Sequence, residues 1–282
     1  MKLASIAAGL AAAASTLMSA TAAPVKARST KLSDIDSTCG FRASYQIISY
    51  VNAASVDRGD AMCIAGSEGA GYTAGMARFS TQYGSALEAI KLYASDSDYK
   101  HEFDALLPTL KKYAAQQSGS LAGLEKFCDA WTQAASNGNA FRAAQITAIR
   151  TLYDEPLREY TSNLGLRYPL SKSVMVDTLL LNGYGSSNDG IDAIIADTSS
   201  QFTDDAGGDS ESTIQVNNHS VDEIVWLGKF LDTRDRLSSG KDTAHSDSYR
   251  SLIRDQQYTL NGDITFTAFG GKKVKVGCNK LL

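Results

Sequence analysis

The chain has 282 residues, with 27 Lys and Arg set against 31 Asp and Glu, for a formal charge of −4. That length can bury a sizeable core, and the acidic balance lacks the cationic excess that nucleic acid rewards. No nucleic-acid partner is therefore expected, whereas a cationic polymer is compatible with the charge.

In chain order, Lys2, an Ala-rich apolar stretch from Leu3 to Met18 and the small residues Ala20-Thr21-Ala22 have the layout of a secretory signal. Residues 1–23 are expected to be removed. Residues 24–282 are expected to form one domain of two lobes in a secreted, extracellular protein. No later segment approaches eighteen uninterrupted apolar residues, so no membrane partner is expected. Cys39, Cys63, Cys128 and Cys278 are an even set without a Cys-x-x-Cys pair. In an exported chain they predict two disulfides, with all three pairings open and a Cys39–Cys278 bridge able to tie the ends together. His101, His219 and His245 are scattered, which supports neither a metal site nor a Ser-His-Asp triad. No cofactor is expected.

Most of the mature chain carries helical spacing. A first helix through Tyr45, Ile48 and Val51 is expected to end near Ala54, and a second runs through Leu87, Ile90 and Leu92. Pro108 should start or kink the helix that carries Leu106, Leu107 and Leu110. Residues 121–135, 139–152 and 154–164 continue the pattern, and Asp154-Glu155-Pro156 reads as a helix start. Residues 170–182 are apolar nearly all round and predict a buried central helix. Another helix opens at Asp189-Gly190, and a long one is predicted from Val221 to Leu237. Thr203 to Thr213 reads as a solvated loop. After Asn261-Gly262 the alternation of Ile264, Phe266 and Ala268, then Val274 and Val276, predicts a terminal β-hairpin. The class is mainly α with a little β. Trp131 and Trp226 sit within helical patterns and read as core.

The run Glu68-Gly69-Ala70-Gly71-Tyr72-Thr73-Ala74-Gly75 carries the chemistry. Its glycines allow backbone turns closed to other residues. A carboxylate on such a turn can accept a proton from water, and a threonine hydroxyl can orient that water. Thr73 could equally cap a following helix.

The run resembles the acidic Gly-x-Gly-Tyr-Thr-x-Gly motif of glycoside hydrolase family 46, the chitosanases. Further segments are similar in order and spacing: Phe79 with Gly84-Ser85-Ala86-Leu87, Leu106-Leu107-Pro108-Thr109-Leu110, Phe127 to Ala135, Val176-Asp177-Thr178, and Phe230-Leu231-Asp232-Thr233-Arg234. The resemblance spans most of the mature chain. It implies a lysozyme-like two-lobed α+β fold with a cleft between the lobes, and inverting hydrolysis of β-1,4 linkages in chitosan by a monomer. Inversion needs two carboxyl groups far enough apart to admit a water. By position Glu68 stands for the base and Thr73 for the water-orienting threonine, with Tyr72, Asp177 and Arg234 as substrate-binding residues. Asp177 and Arg234 could instead form a bracing ion pair.

Three positions depart from the family pattern. The general acid's place at the end of the first helix falls on Val51, and no glutamate occurs before Glu68. Ala70 replaces an arginine, and Ser85 replaces an aspartate that contacts sugar. Asp57 and Asp60 are the nearby carboxylates that could substitute for the acid. Two functions follow from the residues: an endo-acting chitosanase with a shifted acid, or a catalytically impaired protein that binds chitosan or another cell-wall polysaccharide. A change of polymer to peptidoglycan fits the acidic charge less well.

Overall fold

The structure is a computed structural model that describes residues 39–56, 59–66, 69–185 and 188–277. The predicted signal segment and Cys278 lie outside the described residues. One lobe is built on a three-stranded antiparallel sheet, β1 (Cys63–Ala65), β2 (Tyr72–Ala74) and β3 (Phe79–Ser80). Two helices pack on it, α2 (Ser85–Ala94) and α4 (Phe127–Ser136), and α3 (Leu107–Gln116) and α5 (Ala140–Ile149) pack on those helices in turn. Its core is aromatic. Phe103, Phe127, Trp131 and Phe141 are all sealed from solvent, and their rings meet at centroid distances of 4.7–6.4 Å. Such edge-on and tilted contacts add to the area that each ring buries.

The other lobe is centred on α7 (Pro169–Asn182). It is covered by α1 (Cys39–Ala53), α6 (Glu155–Leu164), α8 (Ile191–Ser200), α9 (Glu223–Leu237) and α10 (Thr243–Arg254). Two hairpins complete it, β4 (Thr213–Val216) with β5 (His219–Asp222), and β6 (Asp263–Thr267) with β7 (Lys273–Gly277). A π-helical segment, Arg150–Asp154, joins α5 to α6 and bridges the lobes. The architecture is mainly α, in the lysozyme-like two-lobed arrangement.

The helical periodicity places α1, α2, α3, α7, α8 and the terminal hairpin where the sequence predicts them. Pro108 sits in the first turn of α3, where its missing N–H costs nothing. Three regions differ. Residues 121–126 form turns ahead of α4, and the helical pattern of 139–152 passes into the π segment at Arg150. Residues 213–222 form the β4–β5 hairpin, so the long helix begins at Glu223, not Val221. The signal was present in the sequence. Ile214, Val216 and Val221 alternate inward, and Asn217 and Asn218 both take the positive φ (51° and 67°) that a tight hairpin turn demands. Asp222 then caps α9, accepting from the backbone N–H groups of Ile224 (2.7 Å) and Val225 (3.1 Å). Burial alone would raise its pKa; the hydrogen bonds from Ser210 and these amides prevail and hold it below the ordinary carboxylate value.

A disulfide between Cys63 and Cys128 fastens β1 to α4. Cys39 is disulfide-bonded as well.

Candidate functional site

A groove of about 920 Å³ runs between the lobes. One wall comes from Ser80, Tyr83, Ser85 and Glu88, the other from the end of α7, Leu179 to Tyr184. The π segment contributes Leu152 and Tyr153, with the Tyr153 hydroxyl hydrogen-bonded to Ser85. Burial raises the pKa of this phenol, keeping it a hydrogen-bond donor at neutral pH. Tyr83 (70% exposed) and Tyr184 (47% exposed) stand on opposite walls. Both offer flat apolar faces with a polar tip, a combination that suits a sugar ring.

Glu68 and Asp57 lie outside the described residues, but the turn that carries Glu68 is defined on both sides. The Gly66 N–H donates to the Gly71 carbonyl at 2.7 Å, and the Gly71 N–H donates to the Gly119 carbonyl at 3.0 Å. Gly71 has a φ of 70°, and a Cβ there would stand 2.5 Å from Thr81 Oγ1. Gly119 approaches so closely that a Cβ on it would lie 1.6 Å from the Gly69 carbonyl oxygen. The glycine run thus clamps the turn between β1 and β2 against the loop after α3.

Thr73 sits mid-strand in β2, so it caps no helix. Its antiparallel partner is Ser80, and directly opposed residues share a sheet face. Ser80 lines the groove, which puts Thr73 on the groove face. Tyr72 is one residue along and on the opposite face, because side chains alternate. Its ring lies 5.3 Å from that of Phe127, and the residue is half-buried.

For Asp177 and Arg234 the structure shows the ion pair that the sequence offered as the alternative to substrate contact. Both are wholly enclosed (0% exposed) and present no surface to a polymer. Arg234 Nη1 donates to Asp177 Oδ2 at 3.1 Å and to Thr178 Oγ1 at 3.0 Å, while Nη2 donates to Ser246 Oγ at 2.8 Å. Asn52 Nδ2 at the end of α1 and His245 Nδ1 on α10 both meet Asp177 Oδ1, at 3.1 and 3.0 Å. Burial would raise the Asp177 carboxyl, but the attraction of His245 and Arg234 and the Asn52 hydrogen bond overcome it and lower its pKa. One buried carboxylate therefore braces α1, α7, α9 and α10.

Asp60 is not a spare acid. Its side chain is 3% exposed and takes a two-point salt bridge from Arg142, Nε at 3.0 Å and Nη2 at 3.2 Å. Its carbonyl accepts from Trp131 Nε1 and Gln145 Nε2. Val51 is half-buried in the last turn of α1. The pairing of His245 with Asp177 was not legible in the sequence, because the two lie 68 residues apart in the chain.

The sequence model of glycosyl hydrolase family 46 matches residues 46–268. The chain belongs to that family. It is 34% identical over 208 residues to a chitosanase of Bacillus subtilis (strain 168), covering 70% of either chain. Two solved structures share the fold. The native chitosanase from Bacillus subtilis MY002 superposes with a TM-score of 0.68 at 28% identity, over 84% of this chain and 97% of that one. The Gynuella sunshinyii GH46 chitosanase in complex with chitotetraose gives 0.69 at 26% identity, over 84% and 98%. A glutamate-to-alanine mutant of the MY002 enzyme, complexed with six GlcN units, aligns at 29% identity with a TM-score of 0.68. This family 46 chain is therefore a chitosanase-type glycoside hydrolase. Among its described residues no helix is long and apolar enough to cross a membrane.

Proposed function

We propose that this family 46 protein is a secreted, monomeric, endo-acting hydrolase that cleaves β-1,4 linkages of chitosan with inversion, with Glu68 as general base. The observation that carries this reading is the groove face of β2. It sets Thr73 opposite the groove residue Ser80, two residues after Gly71, and Glu68 precedes Thr73 by five residues in the same glycine-rich motif. Water held by the Thr73 hydroxyl would lose its proton to Glu68 as its oxygen attacks the anomeric carbon. The enclosed Asp177–Arg234 pair braces the helices of the lobe that supplies the α7 wall of the groove.

The second reading, a chitosan-binding protein that no longer cleaves, is favoured by Val51 at the acid's position and by the sequestration of Asp60. The solved mutant complex adds weight, since a chitosanase that has lost a glutamate still holds six GlcN units. Reducing-end release from soluble chitosan separates the two. Hydrolysis predicts release by the wild type and its loss by a factor of about 10² to 10⁴ in Glu68→Gln, with substrate still bound. Binding without release by either protein leaves the second reading standing.

A further inference from the structure

The sequence holds a single Asn-x-Ser/Thr triplet, Asn218-His219-Ser220. In a chain that enters a eukaryotic secretory compartment, such a triplet is the acceptor for an N-linked glycan. A triplet this short also arises by chance, so its place in the fold decides whether a glycan can be carried. It stands at the tip of the β4–β5 hairpin. Asn217 and Asn218 form the turn, both exposed and both at positive φ, which asparagine tolerates better than most residues. Their side-chain amides have different fates. Asn217 Nδ2 donates to the Ser199 carbonyl at 2.8 Å and pins the turn to the end of α8. Asn218 makes no side-chain hydrogen bond among the described residues, so its amide nitrogen is open to solvent. Ser220 sits opposite the exposed Gln215 and is bonded through its backbone alone. Its N–H donates to Asp205 Oδ1 at 2.7 Å and its carbonyl accepts from the Ala206 N–H at 2.9 Å. The frame of the triplet thus falls on the free amide and not on the engaged one. No residue of this hairpin lines the groove.

We propose that Asn218 is an N-glycosylation site, its side-chain amide carrying an oligosaccharide that stands out from the hairpin tip. The proposal rests on the reading above that the chain is secreted. The donor is an oligosaccharide joined through its terminal sugar to a lipid diphosphate. Asn218 Nδ2 bonds to the anomeric carbon of that sugar, the bond from that carbon to the phosphate oxygen breaks, and the diphosphate leaves with the electron pair. The amide nitrogen gives up one proton to a base of the transferring enzyme and keeps the other. Transfer acts on the extended chain, where the Ser220 hydroxyl completes the acceptor. The folded protein has only to accommodate the product. A glycan on Asn218 displaces no hydrogen bond, whereas one on Asn217 would break the contact with Ser199. Ile214, Val216 and Val221 bury the inner face of the hairpin, which keeps it seated while the tip carries a bulky, solvated group.

The experiment secretes the full chain from a eukaryotic host and treats it with an amidase that removes N-linked glycans, leaving aspartate where the glycan was attached. Wild type should gain gel mobility on treatment, and peptide mass spectrometry should find the new aspartate at position 218. Asn218→Gln and Ser220→Ala should both lose the mobility shift, while Ser220→Thr, which restores a hydroxyl, should keep it. Substitutions at an exposed turn disturb stability little, and melting temperatures verify that each variant is folded. Secreted wild type with an unmodified asparagine at 218 would overturn the proposal. So would an amidase-sensitive glycan that survives in Ser220→Ala. Failure of the full chain to leave the cell would count against the secretion reading instead. The host's own leader in place of residues 1–23 then decides the site by the same shift, which separates the two failures.

Discussion

At the scale of single residues, the enclosed Asp177 carboxylate has the largest consequences. Four side chains depend on it or its partner, and removing one member leaves a buried charge without compensation. Arg234→Met should destabilise the protein by about 3–5 kcal/mol, measured by urea denaturation. A change below ~1 kcal/mol would mean that water or rearranged partners reach the site. The direction of the Asp177 shift also sets a pH dependence. Its folded pKa lies below the ordinary aspartate value, so the ionised form contributes stability above that ordinary value. That contribution is lost as pH falls through the lower folded value, and acid titration of the melting temperature should show it in wild type but not in Asp177→Asn. The sequence disclosed an aspartate interrupting an apolar helix, which called for a partner. It could not disclose that three other helices would supply partners, because those residues lie as far as 125 positions away in the chain.

At the scale of elements, the small sheet does most to define the site. Periodicity did not announce β1, β2 and β3, since strands of two or three residues are too short to alternate visibly. Their register nevertheless decides which motif residues share a face, setting Thr73 opposite the groove residue Ser80 and turning Tyr72 to the other face, near Phe127. The turn between β1 and β2 is held by backbone contact with Gly119. Gly119→Ala should therefore force the turn away. A displacement of about 1 Å at a positioned catalytic group can cost ~10²-fold, so reducing-end release should fall strongly. Activity within a factor of two of wild type would show that the turn tolerates the methyl group. The Cys63–Cys128 bridge secures the same sheet to α4 across 65 residues of chain. Its removal in Cys63→Ala/Cys128→Ala should cost about 2–5 kcal/mol by chemical denaturation.

At the scale of the whole molecule, net charge and groove charge differ in sign. The chain is acidic overall, which the sequence reading took as compatible with a cationic polymer. Among the described residues lining the groove, however, Arg78, Lys91 and Lys111 outnumber the single carboxylate Glu88. Alanine at position 70 and serine at 85 place no charge on their side of the groove. Local charge governs a bound polymer more than distant charge does, because screening at physiological salt acts over roughly 8 Å. Partially acetylated chitosan, with fewer ammonium groups, should accordingly be cleaved or bound better than fully deacetylated chitosan. Comparing the two at equal chain length checks this, and a preference for the fully deacetylated polymer would show that carboxylates beyond these lining residues dominate the groove.

Local information in the sequence was sufficient for the helices, the terminal hairpin and the motif turn. Amphipathic spacing, a proline at a helix start and glycines at strained positions each act within a few residues. Glu68 and Thr73 could be read together as a candidate pair for that reason, since they lie within one glycine-rich motif. Only the tertiary structure decided that Asp177 and Arg234 are enclosed together, that Asp60 is locked to Arg142, and that His245 stands beside Asp177. The physical cause is the same in each case. Burial and pairing are properties of surfaces brought together across long stretches of chain, and no local period records which side chains those surfaces will enclose.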